Sequence, residues 1–184
     1  MKPKKAVFLD RDGVINTDLG YVYKPSDFSF VAGFPALASR LKALDFLLIV
    51  VTNQSGVARG YFSEDDVLLF HQKIQSELSL AAGFQLDRFF VCPHHPDGVI
   101  AKYAVDCFCR KPKTGLIEQA MKADSIDLSK SWLIGDKASD IDLARGVGIR
   151  GIQLSNGQYQ LHPNAFKVVE ELDELSSFSW ESNL

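Results

Sequence analysis

Cysteine is scarce: the chain has three in 184 residues, all between Cys92 and Cys109, and an odd number cannot pair fully within one chain. Long apolar runs are missing too. The longest, Phe46 to Val51, falls far short of the ~20 residues that cross a bilayer, so no membrane partner is expected. Positive charge is not in excess. The net charge is −3 and no basic stripe with interleaved aromatics is present, so nucleic acid is not an expected partner and any anion must be met locally. Lys2, Lys4 and Lys5 begin the chain as a signal peptide would, but only Ala6 to Leu9 follow before Asp10, so a cytoplasmic location is expected. There are no repeats, low-complexity tracts or linkers. With 46% apolar residues the chain can bury a core without staples, and one domain over residues 1–184, acting as a monomer, is expected.

What is present is an alternation of strand-like and helix-like segments. Ala6 to Leu9 is a short buried strand that ends abruptly in Asp10-Arg11-Asp12-Gly13. In an extended segment Asp10 and Asp12 share a face and Arg11 points away, while Gly13 permits a sharp turn. Residues 17–33 read as an irregular flap or hairpin, and Leu37, Leu41 and Leu44 stripe a helix over Phe34 to Leu44. Phe46 to Val51 is a second strand, ending in Thr52-Asn53-Gln54-Ser55-Gly56. Ser63 caps a helix that Gly83 stops. Strands at Arg88 to Val91, Ser131 to Ile134 and Gly151 to Leu154 follow, with helices over Leu116 to Ala123 and, capped by Ser139, Asp140 to Arg145. Phe166 to Val169 is a last strand before a terminal helix.

This order predicts an α/β fold, a doubly wound parallel sheet covered on both faces. Such sheets bind ligands at the carboxyl ends of their strands, and the polar clusters after strands one, two and four all fall on that edge. Asp10, Asp12 and Asp136 offer hard oxygens of the kind Mg²⁺ accepts. Thr52, the N–H groups near Gly56, and Lys111 suit phosphate oxygens. Together they point to phosphoryl transfer, with one aspartate as nucleophile forming an aspartyl phosphate and the second moving protons.

Cys92-x-His94 and Cys107-x-Cys109 supply three thiolates and an imidazole, a closed tetrahedral set for structural Zn²⁺. His95 is a rival ligand. A zinc-stapled loop here pins the chain directly before Arg110 and Lys111.

FLDRDGVIN, VTNQSG, RKPKTG and IGDKASD resemble the four motifs of the haloacid dehalogenase superfamily, and the match spans residues 6 to about 155. DRDG, the GxxY at Gly20, NQSGVARG, CPHHP and CFCRKP are similar to the branch holding the D,D-heptose 1,7-bisphosphate phosphatases and histidinol phosphatases. The resemblance implies a Rossmann-like fold, Asp10 as nucleophile, Asp12 as general acid and base, Thr52 and Lys111 holding the phosphoryl group, and Asp136 completing a magnesium site with Asp10 and Asp12. It selects His94 over His95 for zinc and gives Arg110 to substrate recognition. Many relatives carry an inserted cap domain, but only 39 residues separate Asp12 from Thr52, so no cap domain is expected. Loops should roof the site instead, and Asp18, Gly20, Tyr21, Asn53, Gln54, Ser55, Arg59, Arg110 and Lys137 are the candidates for binding substrate.

The implied activity is removal of the 7-phosphate from a small phosphorylated sugar, D-glycero-D-manno-heptose 1,7-bisphosphate, towards lipopolysaccharide or other surface glycans. The alternatives are histidinol-phosphate hydrolysis on the same machinery, a phospho-accepting regulatory module, and a zinc-stapled binding module. Asp12 separates hydrolase from receiver, since a slow receiver needs no proton shuttle beside its acceptor.

Overall fold

The apolar segments of the chain pair into one sheet in which every neighbour is parallel. The computed structural model describes residues 3–180. Its strands are β1 (Ala6–Leu9), β2 (Leu47–Asn53), β3 (Arg88–Cys92), β4 (Trp132–Gly135), β5 (Arg150–Leu154) and β6 (Lys167–Val169), in the spatial order β3-β2-β1-β4-β5-β6. Helices α1 (Phe34–Ala43), α2 (Glu64–Ala82), α3 (Gly115–Ala123) and α4 (Ala138–Gly146) make the crossovers. The strand order reverses between β1 and β4, which places a crevice at their carboxyl ends.

Strand periodicity divides the core into two layers. Val7 and Leu9 of β1, Leu48 and Val50 of β2, and Trp132 and Ile134 of β4 face a layer shared with α1 and α2. Their alternate neighbours Ala6, Phe8, Ile49, Val51 and Leu133 face a second layer under α3 and α4. Both faces are therefore apolar, which is why the strands read as continuous runs rather than alternating ones. Among the described residues no helix is long and apolar enough to cross a membrane.

Local signals set the element ends. Ser63 and Asp66 form a capping box, with Ser63 N–H donating to Asp66 Oδ2 (2.8 Å) and Asp66 N–H to Ser63 Oγ (3.1 Å). Gly83 ends α2 at φ 78°, a conformation glycine adopts without strain. Three expectations are corrected. β2 starts one residue later and runs two further, so Thr52 and Asn53 are strand residues with fixed backbones. Ser139 is not the cap of α4: the helix begins at Ala138, and the Asp140 carboxylate accepts the N–H of Lys137 (3.1 Å). Among the described residues no terminal helix follows β6, only a short 3₁₀ turn over Leu172–Leu175, because Trp180, Phe178 and Phe46 pack against one another instead.

Between β1 and β2 lie only the flap and α1. The flap is irregular, tied by a bridge between Asn16 and Phe30, and Phe28 and Phe30 face the core. Nothing there has the size of a cap domain.

Candidate functional site: an aspartate cluster at the sheet edge

The strand geometry of β1 is carried one step further by Asp10, whose N–H donates to Ile134 C=O (2.9 Å). The chain then turns, with the N–H groups of Ile15 and Asn16 donating back to Arg11 C=O. Gly13 takes φ 86°, and a Cβ there would sit 2.2 Å from Asp136 Oδ2. The position needs glycine for both conformation and room.

The turn ends strand alternation, so Arg11 does not point away as expected. It is fully buried and folds back onto Asp12, with Nε 3.0 Å and Nη2 2.9 Å from Oδ1. Asn16 Nδ2 also donates to Asp12 Oδ1 (3.0 Å), and Gln54 Nε2 to Oδ2 (2.8 Å). The Asp12 carboxylate is thus turned to these three donors, and the structure does not bring it into the group of carboxylates expected to hold magnesium.

The group the structure forms is Asp10, Asp136 and Asp140, all buried, with oxygens within 4.8 Å of one another. Asp140 was not foreseen as a site residue. Its signal was its place one helical turn after Asp136, masked by its second role at the start of α4. Lys111 is buried among these carboxylates, its Nζ 2.8 Å from Asp10 Oδ1, 2.7 Å from Asp140 Oδ1 and 3.0 Å from Val51 C=O. Burial works against the Lys111 ammonium, but Asp10 and Asp140 overturn it and raise its pKa. Burial raises Asp10, and burial with the Asp10 charge pushes Asp136 up to about 8. Asp136 Oδ1 is buried without a hydrogen-bond partner. Lys137 Nζ reaches Asp136 Oδ1 only at 3.9 Å, and three buried carboxylates around Lys111, with one oxygen lacking a hydrogen bond, fit a divalent cation of the oxygen-seeking kind.

Thr52 is buried at the end of β2, and its Oγ1 accepts from Gln54 Nε2 (2.9 Å). Asn53 binds the main chain of Lys111, its Oδ1 accepting the N–H (3.0 Å) and its Nδ2 donating to the C=O (3.2 Å). Lys137 lies 3.2 Å from Asp18 Oδ2 and packs over the Tyr159 ring. Burial opposes its charge, yet Asp10, Asp136 and Asp18 raise its pKa. Asp18 also accepts the N–H of Gly20 (2.9 Å) and the Tyr159 hydroxyl (3.3 Å). Tyr159 and Asn156, whose Nδ2 donates to Asp136 Oδ2 (3.1 Å), were missed because they sit in the loop after β5, a strand end with no cluster to draw attention. Buried Gln153 anchors that loop, donating to Asp136 C=O and Gln160 C=O. A cavity of about 340 Å³ lined by Gly13, Asp18, Ser155 and Asn156 opens beside the aspartates.

Other candidates stand on the rim. Tyr21 is exposed and meets Tyr61 edge-on, with ring centroids 4.8 Å apart. Ser55 holds its loop through its C=O, which accepts Arg59 N–H (3.0 Å). Arg59 Nη2 lies 3.2 Å from His95 Nε2, and Arg110 Nη1 donates to His94 C=O (3.3 Å). Neither arginine has a carboxylate partner among the described residues.

The cysteine loop closes on itself. Cys92, His94, Cys107 and Cys109 present four ligand atoms within 4.8 Å of one another, with His94 Nδ1 3.4 Å from Cys109 Sγ and the cysteines free of disulfides. His95 is turned elsewhere, its Nδ1 accepting Asp97 N–H (3.1 Å). Of the two histidines, it is His94 that lies with the three cysteines. The same loop docks on the one after β2, where Ala58 C=O accepts the N–H groups of Val99 (2.8 Å) and Ile100 (3.0 Å).

The comparisons with known proteins point to the same chemistry. A family model described as HAD-hydrolase-like matches residues 108–175. The D-glycero-beta-D-manno-heptose-1,7-bisphosphate 7-phosphatase of Pasteurella multocida is 45% identical, over 82% of this chain and 81% of its own. The D-glycero-alpha-D-manno-heptose-1,7-bisphosphate 7-phosphatase of Photorhabdus laumondii is 42% identical, over 79% of each chain. The crystal structure of D,D-heptose 1,7-bisphosphate phosphatase from B. bronchiseptica, complexed with magnesium and phosphate, has a TM-score of 0.77 and 29% identity, covering 91% of this chain and 93% of that one. A parallel sheet that gathers buried aspartates and a lysine at its carboxyl edge, shared at this identity over four-fifths of the length, means that the chain belongs to the haloacid dehalogenase superfamily of phosphatases, in the family of the heptose bisphosphate phosphatases.

Proposed function

We propose that this one-domain chain is a Mg²⁺-dependent cytoplasmic phosphatase that removes the 7-phosphate of D-glycero-D-manno-heptose 1,7-bisphosphate, supplying a surface-glycan precursor. The observation that carries the reading is the buried Lys111 bridging Asp10 and Asp140, with an Asp136 oxygen that has no hydrogen bond beside it. A site for a cation and a phosphoryl group needs that combination, which a binding module leaves without a purpose, and Asp12 two residues after the nucleophile separates a hydrolase from a receiver.

Asp10, Asp136 and Asp140 would hold Mg²⁺, which when bound supplies positive charge to offset the phosphoryl oxygens. Asp10 is the nucleophile. Its Oδ1 is held by Lys111 and by the N–H of Arg11 (2.7 Å), which leaves Oδ2 to attack phosphorus. As that bond forms, the bond from phosphorus to the sugar oxygen breaks, and Asp12 gives its proton to the departing oxygen. Water then attacks the aspartyl phosphate, Asp12 takes the water's proton, and the Asp10 carboxylate is restored with release of phosphate. Thr52 accepts from Gln54, so its own O–H is left to donate to the phosphoryl group. Lys111 is the second holder of that group.

The remote phosphate falls to Arg59 and Arg110. Burial and the charges of these two arginines hold His95 below its ordinary pKa, so the imidazole between them stays neutral and both cations remain available to an anion. The cysteine loop that positions Arg110 is read as a structural Zn²⁺ site.

The test is kcat/KM with Mg²⁺ over both heptose 1,7-bisphosphate anomers, histidinol phosphate and fructose 1,6-bisphosphate. A heptose bisphosphate should be preferred, and Arg110→Ala should reduce its kcat/KM far more than that of a monophosphate of similar size. Preference for histidinol phosphate, or equal losses on both substrates, would overturn the assignment.

A further inference from the structure

Arg11 lies between the two aspartates that carry the chemistry, and it is wholly buried. Buried arginine is uncommon unless its charge is used. Its guanidinium lies 4.6 Å from the Phe70 ring centroid of α2 and donates through Nη2 to Val22 C=O of the flap (2.7 Å). The same Nη2 is 2.9 Å from both oxygens of Asp12, and Nε is 3.0 Å from Oδ1. Nη1 is buried without a hydrogen-bond partner. A guanidinium placed to satisfy itself would use that nitrogen, whereas this one spends its other donors on the Asp12 carboxylate and the Val22 carbonyl and leaves the nitrogen unbonded. The Asp12 side chain keeps some exposure towards solvent, so Arg11 grips the shuttle from behind and leaves its front open.

We propose that Arg11 is a positioning residue for proton transfer: clamped by the Phe70 ring and the Val22 carbonyl, it fixes the Asp12 carboxyl in the orientation from which the proton reaches the departing sugar oxygen. This rests on the reading of Asp12 as acid and base. In the absence of a cap domain, the link from Val22 through Arg11 to Asp12 makes a docked flap a condition for an aligned acid. Neighbouring Gln54 and Asn16 each supply a single bond to Asp12 and cannot replace the planar fork.

The experiment compares kcat/KM for an alkyl phosphate, a sugar bisphosphate, with that for p-nitrophenyl phosphate, whose leaving group departs without a proton. The ratio within one preparation does not depend on how much protein is folded. Asp12→Asn should lower the alkyl ester by about 10²-fold or more beyond its effect on the aryl ester. Arg11→Met should reproduce that selective loss at roughly 10- to 100-fold, and Arg11→Lys should fall between it and the unaltered protein. Adding Arg11→Met to Asp12→Asn should leave the ratio where Asp12→Asn put it. If Arg11→Met does not fold, Phe70→Leu, which removes the ring and keeps every polar contact, should shift the ratio in the same direction. A selective loss in Asp12→Asn with equal losses on both esters in the Arg11 and Phe70 variants would overturn the proposal. Equal losses in Asp12→Asn itself would instead overturn the role of Asp12.

Discussion

Asn53 holds Lys111 by the main chain from both sides, accepting its N–H and donating to its C=O across a separation of 58 residues. The last residue of β2 thereby sets where the lysine from the far side of the cysteine loop enters the site. Asn53→Ala should leave the sheet intact and let Lys111 shift. A misplacement of about 1 Å at a catalytic group costs on the order of 10²-fold, so kcat should fall by roughly that factor with the far-ultraviolet circular dichroism unchanged. Retention of full kcat would show that the ion pairs to Asp10 and Asp140 suffice to hold the lysine.

Asp140 has two duties, a carboxylate in the cation group and an acceptor for the first N–H before α4. Asp140→Asn should raise the Mg²⁺ concentration for half-maximal activity by about 10- to 100-fold. The cap contact should cost about 1 kcal/mol or less, because an amide oxygen can still accept the N–H. A Mg²⁺ titration of activity beside a denaturant titration separates the two effects.

Asp136 gives a pH signature to the Mg²⁺-free protein. Its folded pKa, raised to about 8 from 3.8, means that the fold binds more protons than the unfolded chain between those values. Its contribution to stability is then complete below about pH 4 and is lost as pH rises through 8. Mg²⁺ needs the ionised form, so it competes with that proton at low pH. The rise in Tm on adding Mg²⁺ should be larger at pH 8.5 than at pH 5.5; an equal or reversed difference would refute the buried, cation-seeking state of Asp136.

Cys109→Ser should lower bound zinc and loosen the loop that ends at Arg110. The expected split is a larger loss of kcat/KM on the bisphosphate than on p-nitrophenyl phosphate, read together with metal content by elemental analysis. Unaltered protein, purified without chelators and found to hold no zinc, would refute the site.

The sheet and the cation floor were legible in sequence to the extent that each was written in consecutive residues. Ala6 to Leu9 running into Asp10, and Ile134-Gly135 running into Asp136, are strand ends with their chemistry attached, and parallel topology brings them together. Strand alternation failed at Arg11 because the chain leaves the sheet at Leu9, and two-residue periodicity carries no information inside a turn. Asp140 was read only as a helix start, although a residue can cap and ligate with different oxygens. Tyr159 and Asn156 had no local signal, since their roles arise from where β5 sets its loop down. His94 and His95 are chemically alike, so residue chemistry did not separate them; the resemblance chose His94, and the loop's path turns His95 to Arg59 and Asp97.

Arg110 and Lys111 are consecutive, yet they are anchored to different bodies. Lys111 is bound to the floor by Asp10, Asp140, Val51 and Asn53. Arg110 is bound to the cysteine loop at His94, and that loop reaches Arg59's neighbourhood through the carbonyl of Ala58. On the proposed function, the peptide bond between them is a seam between turnover and discrimination. A change in the cysteine loop would reach Arg110 through His94 while Lys111 stays held by its partners on the floor. On the proposed reading of the loop as a zinc site, losing the metal would release Arg110 before it disturbed Lys111.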